Sequence, residues 1–230
     1  MRATRRLLLL LALCGCQAPP EPPPPRPQLP ASWVATLPCA DCAGIVTTLT
    51  LWPDSVFYLE RLRLENSEDD QVPDYLLGRW ELSDGGRLRL ASSEPLPDWQ
   101  AGPEMLSLRK LNRGPTTYDD STAATLVLHK ELEPLEPRTQ LAGFLDHELE
   151  TLSIRECFSG RRFSVIPGGD SPALDRAWHV LEAHSSGPRL AMISARLGQA
   201  ASPGGESRFV LYIDRFISLE EDEDCPGGEE

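Results

Sequence analysis

The sequence predicts a mainly β protein built from two barrel-like domains. Apolar and polar residues alternate over short runs along most of the chain, which is the pattern of half-buried strands. The 230 residues include 22 prolines and 17 glycines, which divide the chain into short segments. A single segment has apolar residues at helical spacing. These observations disfavour a bundle of long helices and favour antiparallel sheets.

The N-terminus has the layout of an export signal. Three arginines precede an apolar run over residues 7–13, and Gly15 precedes Cys16. The run is too short to span a bilayer, which needs about 20 apolar residues. The motif at residues 13–16 resembles the lipobox of bacterial lipoproteins, which implies a signal peptide over 1–15 and acylation of Cys16. In Gram-negative lipoproteins a residue other than Asp after that cysteine permits transfer to the outer membrane, and here it is Gln17. We therefore expect a lipid anchor on the periplasmic face of the outer membrane.

A proline-rich linker is predicted over residues 16–31. Eight of the thirteen residues from 18 to 30 are proline, and proline removes backbone donors and fixes φ near the polyproline value. At about 3.1 Å per residue such a spacer holds the folded part roughly 40 Å from the lipid surface.

Six short strands are predicted in the first domain, residues 32–132. Residues 45–51 and 56–64 form a hairpin around the Trp52-Pro53-Asp54-Ser55 turn, and a second hairpin surrounds Gly85-Gly86. Residues 106–108 and 126–128 continue the alternation. Strands joined by turns in this way indicate an antiparallel barrel or sandwich.

The second domain is predicted at residues 143–226, after a connector over 133–142 and before an acidic tail end at 227–230. Strands at 149–154 and 163–166 precede a helix that begins at Ser171-Pro172, a capping residue followed by proline. A hairpin of residues 190–197 and 208–217 follows. Strands, one helix and then strands suit a small Greek-key barrel of the OB-fold type.

The charge distribution argues against a nucleic-acid partner. The chain has 35 acidic and 22 basic residues and a formal net charge of −13, whereas binding to phosphates needs clustered lysine and arginine. Residues 220–224 and 229–230 supply seven of the negative charges. Such a run is typical of a solvated tail, and we assign it no ligand.

Four cysteines remain after the signal peptide and Cys16: Cys39, Cys42, Cys157 and Cys225. They allow three pairings, and an oxidising compartment makes disulfides the default. A bridge between Cys157 and Cys225 would be structural and worth roughly 4 kcal/mol, whereas one between Cys39 and Cys42 would be weaker and more reducible.

The CxxC motif at Cys39 and Cys42 has three open interpretations from its chemistry alone. It forms a plain structural disulfide, it serves copper binding or redox sensing, or it belongs to an enzyme. Two nearby thiolates suffice for Cu(I), which prefers sulfur and low coordination numbers. A thioredoxin-type site is disfavoured because the pair precedes a strand and has Asp41 between its sulfurs.

Two parts of the chain resemble the NlpE family of copper-homeostasis and adhesion-sensing lipoproteins. The first is residues 37–45, Leu-Pro-Cys-Ala-Asp-Cys-Ala-Gly-Ile, with the following hairpin and Gly78-Arg79-Trp80. The second comprises Gly143, Cys157 with residues 158–163, the helix around Trp178, and Cys225. The resemblance implies a lipocalin-like first barrel and an OB-fold second domain.

The same resemblance implies a non-enzymatic sensor. Such a protein reports surface contact, defective lipoprotein export or thiol oxidation to an inner-membrane histidine kinase, and supports copper tolerance. Cys39 and Cys42 would then be the redox or copper pair, and Cys157 with Cys225 the second-domain disulfide. The expected partners are the membrane, the periplasmic domain of the kinase and the lipoprotein export machinery. The alternatives are a periplasmic thiol oxidoreductase, a Cu(I)-delivery protein, and a lipocalin-like ligand-binding lipoprotein.

Overall fold

The computed structural model describes residues 27–65, 71–111, 124–130, 135–148, 151–182, 188–201 and 207–226. These residues form a mainly β protein with one α-helix, as predicted. Within the described ranges no helix has both the length and the hydropathy to cross a membrane. The predicted signal peptide, Cys16 and the acidic tail end at 227–230 lie outside these residues, as does most of the predicted linker.

Eight strands in sequence order form the first barrel. They are β1 (Ala31–Leu37), β2 (Gly44–Leu51), β3 (Val56–Leu64), β4 (Asp74–Leu82), β5 (Arg87–Ser92), β6 (Trp99–Ala101), β7 (Ser107–Lys110) and β8 (Thr125–Leu128). Each strand pairs with the next, and β1 also pairs antiparallel with β8 through Trp33 opposite Leu128, which closes the barrel. The lipocalin-like antiparallel barrel is therefore confirmed, with β1 and β6 added to the six predicted strands.

The alternation of each strand explains which residues fill this barrel. In β5, Leu88 and Leu90 are buried and Arg87 and Arg89 are exposed. The core cluster consists of large apolar side chains, among them Trp33, Leu49, Phe57, Leu108 and Leu126. These side chains fill this region of the interior.

Five strands and one helix form the second barrel. They are β9 (Arg138–Glu148), β10 (Thr151–Glu156), β11 (Arg162–Ile166), α1 (Ser171–Glu182), β12 (Arg189–Ala201) and β13 (Ser207–Glu221). The strands close in the order β9, β10, β11, β13, β12 and back to β9, with β11 and β13 parallel. The helix lies between β11 and β12 in sequence, as an OB-fold-like small barrel with one helix requires.

The boundary between the domains differs from the sequence prediction. Strand β9 begins at Arg138, inside the segment 133–142 that was predicted as a connector. This strand contains Gly143, where an added Cβ would lie 2.5 Å from Ile154 Cγ2. In a sequence, a glycine interrupts the alternating pattern that indicates a strand. Here the glycine permits the close approach of β10. The second barrel therefore starts about five residues earlier than predicted.

The two barrels pack directly against each other. On β3, Phe57 and Leu59 belong to the core of the first barrel, while Val56 and Tyr58 face the second barrel. Val56 and Tyr58 share one buried cluster with residues of the second barrel such as Phe163. Successive side chains of β3 point to opposite faces of the sheet. One face of this strand therefore packs inside the first barrel and the other contacts the second barrel.

Candidate functional site

Cys39 and Cys42 lie in the loop that joins β1 to β2 at one end of the first barrel. Pairing of the two strands ends at Leu37 opposite Ile45, and the loop projects beyond this pair. The amide of Ala43 donates to the Leu64 carbonyl at 3.2 Å, which ties the loop to the end of β3. Gly44 has a φ of 155°, and a Cβ there would lie 2.6 Å from Thr36 Cγ2, so only glycine fits without a shift.

The two sulfurs are bonded to each other, with 5.4 Å between the Cα atoms. Both cysteines are half-buried and Asp41 between them is exposed. Asp41 Oδ1 lies 3.3 Å from Cys39 Sγ. The two sulfurs and a carboxylate oxygen of Asp41 lie within 4.8 Å of one another, and no other potential metal-binding group of three or more such side chains occurs in the described ranges.

Arg63 of β3 supplies the positive charge beside this loop. Its Nη2 lies 3.0 Å from Asp41 Oδ2 and donates to the Asp41 carbonyl at 3.3 Å. The hydrogen bond and the charge of Arg63 lower the pKa of Asp41. Hydrogen bonds to Asp41 and Glu65 in turn raise the pKa of Arg63. The stabilising effect of the Asp41–Arg63 pair is therefore complete above the unfolded Asp pKa of about 3.9, and it is lost as the pH falls through the lower folded value.

The redox state decides what this loop can bind. In the disulfide neither sulfur is a thiolate, and so the pair offers no anionic ligand. Two electrons and two protons convert it to two thiols on the same short loop. The thiolates of that reduced state are nucleophiles and soft metal ligands, and Asp41 disfavours their formation because it carries a like charge.

We predict that Asp41 and Arg63 shift thiol reactivity in opposite directions. At pH 7, Asp41→Asn will speed alkylation of the reduced pair roughly two- to fivefold, the scale of one exposed charge at about 4 Å, and Arg63→Gln will slow it similarly. The measurement is the rate of iodoacetamide labelling at Cys39 and Cys42 by mass spectrometry. Arg61→Gln is the matched control, because Arg61 lies on the same strand but pairs with Asp74 and Glu94. Equal rates in all variants would contradict the prediction.

The structure joins the other two cysteines, Cys157 and Cys225, across a sequence separation of 68. This is the pair that the family resemblance implies. Cys157 follows β10 directly, and its amide donates to the Ala142 carbonyl at 2.9 Å. Cys225 lies four residues beyond β13. The disulfide therefore connects both ends of a long segment within the second barrel.

The sequence identified the four cysteines and Asp41 between two of them, but not Arg63. Arg63 lies 22 residues from Asp41, and nothing local in the sequence marks their contact. The register of β2 with β3 places them together, since Gly44 pairs with Leu64. Cys16, the predicted lipidation site, lies outside the described residues.

Comparison with known proteins gives a family match and a curated relative. The NlpE N-terminal domain family matches residues 33–118. The lipoprotein NlpE of Escherichia coli K12 is 26% identical over 199 residues, which cover 86% of this chain and 81% of that protein.

Two crystal structures also match. The Cpx pathway activator NlpE from Escherichia coli is 22% identical, with 87% of this chain and 98% of that chain covered and a TM-score of 0.35. A protein from Shewanella oneidensis is 24% identical, with 45% of this chain and 92% of that chain covered and a TM-score of 0.36.

Proposed function

We propose that this chain is an NlpE-type lipoprotein, with an NlpE N-terminal domain at residues 33–118, and that it acts as an envelope sensor. Cys16 anchors it to the periplasmic face of the outer membrane. It reports surface contact, defective lipoprotein export or thiol oxidation to the periplasmic domain of an inner-membrane histidine kinase, and it has no catalytic residue. The 26% identity to the lipoprotein NlpE of Escherichia coli K12, over 86% of this chain, supports this proposal.

The Cys39–Cys42 loop at the end of the matched domain is the observation that carries the proposal. The loop is accessible, it is held by β1, β2 and β3, and its two sulfurs form a disulfide. Cys157 and Cys225 form a second couple that spans the second barrel. One chain thus holds two disulfides in different surroundings, which suits a protein that reports thiol oxidation.

Copper tolerance is the second part of the proposed function. After reduction, Cys39 and Cys42 provide two soft thiolates on one loop, a donor set that fits Cu(I). Asp41 is a hard oxygen ligand and adds little affinity for this ion, but its negative charge favours cation binding overall. Copper loading then depends on the redox state, because the disulfide has no thiolate to offer.

We predict that the soluble body, beginning at Gln17, binds one Cu(I) when reduced and none when oxidised. The measurement is a titration against a competing Cu(I) chelator. Cys39→Ser with Cys42→Ser will abolish competition, because a hydroxyl is a poor ligand for Cu(I). Cys157→Ser with Cys225→Ser is the matched control and will leave it unchanged. Competition that survives loss of Cys39 and Cys42 would remove copper from the proposed function.

The signalling part has its own test. Overproduction of the full chain should raise an envelope-stress reporter in cells that contain the kinase and have no effect in cells that lack it. The same induction without the kinase would exclude the proposed route.

Cys16→Ser will remove the anchor and move the protein from the outer-membrane fraction to the soluble periplasmic fraction.

The CxxC disulfide at Cys39 and Cys42 favours two alternative functions, a thiol oxidoreductase and a Cu(I)-delivery protein. Turnover in an insulin-reduction assay that disappears in the Cys39→Ser/Cys42→Ser variant would support the oxidoreductase. Transfer of bound Cu(I) to an acceptor protein faster than its release to a chelator would support delivery.

A further inference from the structure

An arginine of the second barrel is inserted into the surface of the first. Arg161 ends the turn between β10 and β11, and its side chain is only 3% exposed. Its Nη2 and Nε donate to the two carboxylate oxygens of Asp54 at 2.6 and 3.0 Å. Its Nη1 donates to the hydroxyl of Tyr58 at 2.7 Å. The planar guanidinium thus has a bidentate carboxylate on one edge and a phenol oxygen on another.

Aromatic rings surround the same guanidinium. Its central carbon lies 5.0 Å from the ring centroid of Trp52, 5.2 Å from that of Tyr58 and 3.7 Å from that of Phe209. All three distances are within the range of cation–π attraction. Trp52 and Tyr58 belong to the first barrel, whereas Phe209 lies on β13 of the second barrel and would leave with Arg161.

The first barrel alone supplies the carboxylate, the phenol oxygen and two of the three rings around the guanidinium. Asp54 supplies the charge and the fork geometry, and Trp52 and Tyr58 supply ring faces, which are the features that distinguish an arginine site from a lysine site. In the packed structure burial raises the pKa of Tyr58 to about 12, so its hydroxyl is neutral where it accepts from Arg161. The net charge of −13 also attracts cationic partners at long range.

The turn that presents Arg161 is rigid and begins at a disulfide cysteine. The buried Glu156 carboxylate accepts from the amides of Phe158 and Ser159 at 2.9 and 2.7 Å. The Ser159 carbonyl accepts from Arg79 of the first barrel at 3.1 Å. Cys157, bonded to Cys225, lies in this turn. The chain itself thus shows how a partner would present an arginine here, on a tight and preorganised turn.

We propose that Trp52, Asp54 and Tyr58 form a docking site for an arginine side chain. Arg161 occupies the site within the chain, and an arginine of a partner protein occupies it when the two barrels separate. That partner is the periplasmic domain of the kinase, and this assignment alone rests on the proposed function. The second barrel then acts as a cover that competes with the partner for one surface.

The docking site can be tested without the partner. The probe is acetyl-arginine amide, added to the full mature chain and followed by NMR shifts of the Trp52 indole N–H. Arg161→Ala empties the site and should bind the probe saturably, whereas the unsubstituted chain should not. Adding Asp54→Asn to Arg161→Ala should weaken binding about tenfold or more, the effect of losing a hydrogen-bonded charge. Acetyl-lysine amide is the control, because it carries the positive charge but lacks the planar guanidinium. It should bind more weakly.

Two results would overturn the site: no binding of the arginine probe to Arg161→Ala, or equal binding to the double variant. Arg161→Lys provides a second route if Arg161→Ala folds poorly. It keeps the cation but loses the bidentate pair, so the probe should displace it at high concentration. No displacement in a folded Arg161→Lys variant would also count against the site.

The partner assignment is tested in cells that contain the kinase. At equal protein levels, Arg161→Ala should raise the envelope-stress reporter above the unsubstituted chain, and the double variant with Asp54→Asn should not. Equal activation by both variants would overturn docking of the kinase here. If neither variant nor the overproduced chain activates while the probe binds as expected, the proposed signalling function fails and the arginine site stands.

Discussion

Replacing Cys157 and Cys225 with serine will lower the free energy of unfolding of the second barrel by about 4 kcal/mol. The expected size follows from the loop that the disulfide closes, since a cross-link over a separation of 68 residues removes much of the entropy of the unfolded chain. A loss of this size is a large part of the 5–15 kcal/mol that typically stabilises a domain. The reduced second barrel will therefore open more readily than the oxidised one, and it carries the turn that holds Arg161.

The measurement is chemical unfolding of both forms, with tryptophan fluorescence and circular dichroism recorded together because two barrels need not unfold in one step. Cys39→Ser with Cys42→Ser is the control. That disulfide closes a sequence separation of only 3, so its removal should cost much less. Equal losses for the two pairs would contradict the assignment of Cys157 and Cys225 as the structural bridge.

Trp33→Ala will destabilise the first barrel by about 3–5 kcal/mol, the range for a large aromatic side chain removed from a core. Trp33 is fully buried on the strand that closes the barrel, and its Nε1 donates to the Met105 carbonyl at 2.7 Å. The variant loses apolar contacts and leaves that carbonyl without its donor. The expected result is a large fall in the unfolding midpoint measured by urea titration.

Val127→Ala provides the comparison for Trp33→Ala. Val127 lies on the same seam, the pairing of β1 with β8 that closes the barrel. It pairs there with Val34, but it is 58% exposed. Its truncation should change stability by about 0.5 kcal/mol or less, as for most surface substitutions. A similar loss from both variants would show that the seam, rather than the core packing of Trp33, sets the stability.

Local sequence signals predicted the elements that have local causes. The Trp52–Ser55 turn follows from proline and aspartate between two alternating runs, and the helix start at Ser171 follows from a cap and a proline. Strand β6 escaped prediction because it has three residues, too few to show alternation. Strand β9 escaped because Pro134 and Pro137 just before it indicate a connector, and the approach of β10 is what explains Gly143 within the strand.

The candidate sites also include residues that local sequence signals predicted and residues that they did not. Cysteine spacing identified the Cys39–Cys42 motif, and the family resemblance supplied the pairing of Cys157 with Cys225. Arg161 and Asp54 were not predictable, since they are 107 residues apart and meet only because two barrels pack together. A contact that forms only through tertiary packing leaves no signal in the local sequence pattern.

Strand β1 runs between two opposite poles of the first barrel. The chain enters the strand at Ala31, on the side from which a lipid tether would arrive, and leaves it at Leu37 beside Cys39. Seven residues at about 3.3 Å each separate these points by roughly 20 Å. Because β2 runs back along β1, the turn that carries Asp54 lies at the entry pole and the sulfur loop at the far one. A ligand at the thiols and a protein at Asp54 could therefore be held at the same time without touching.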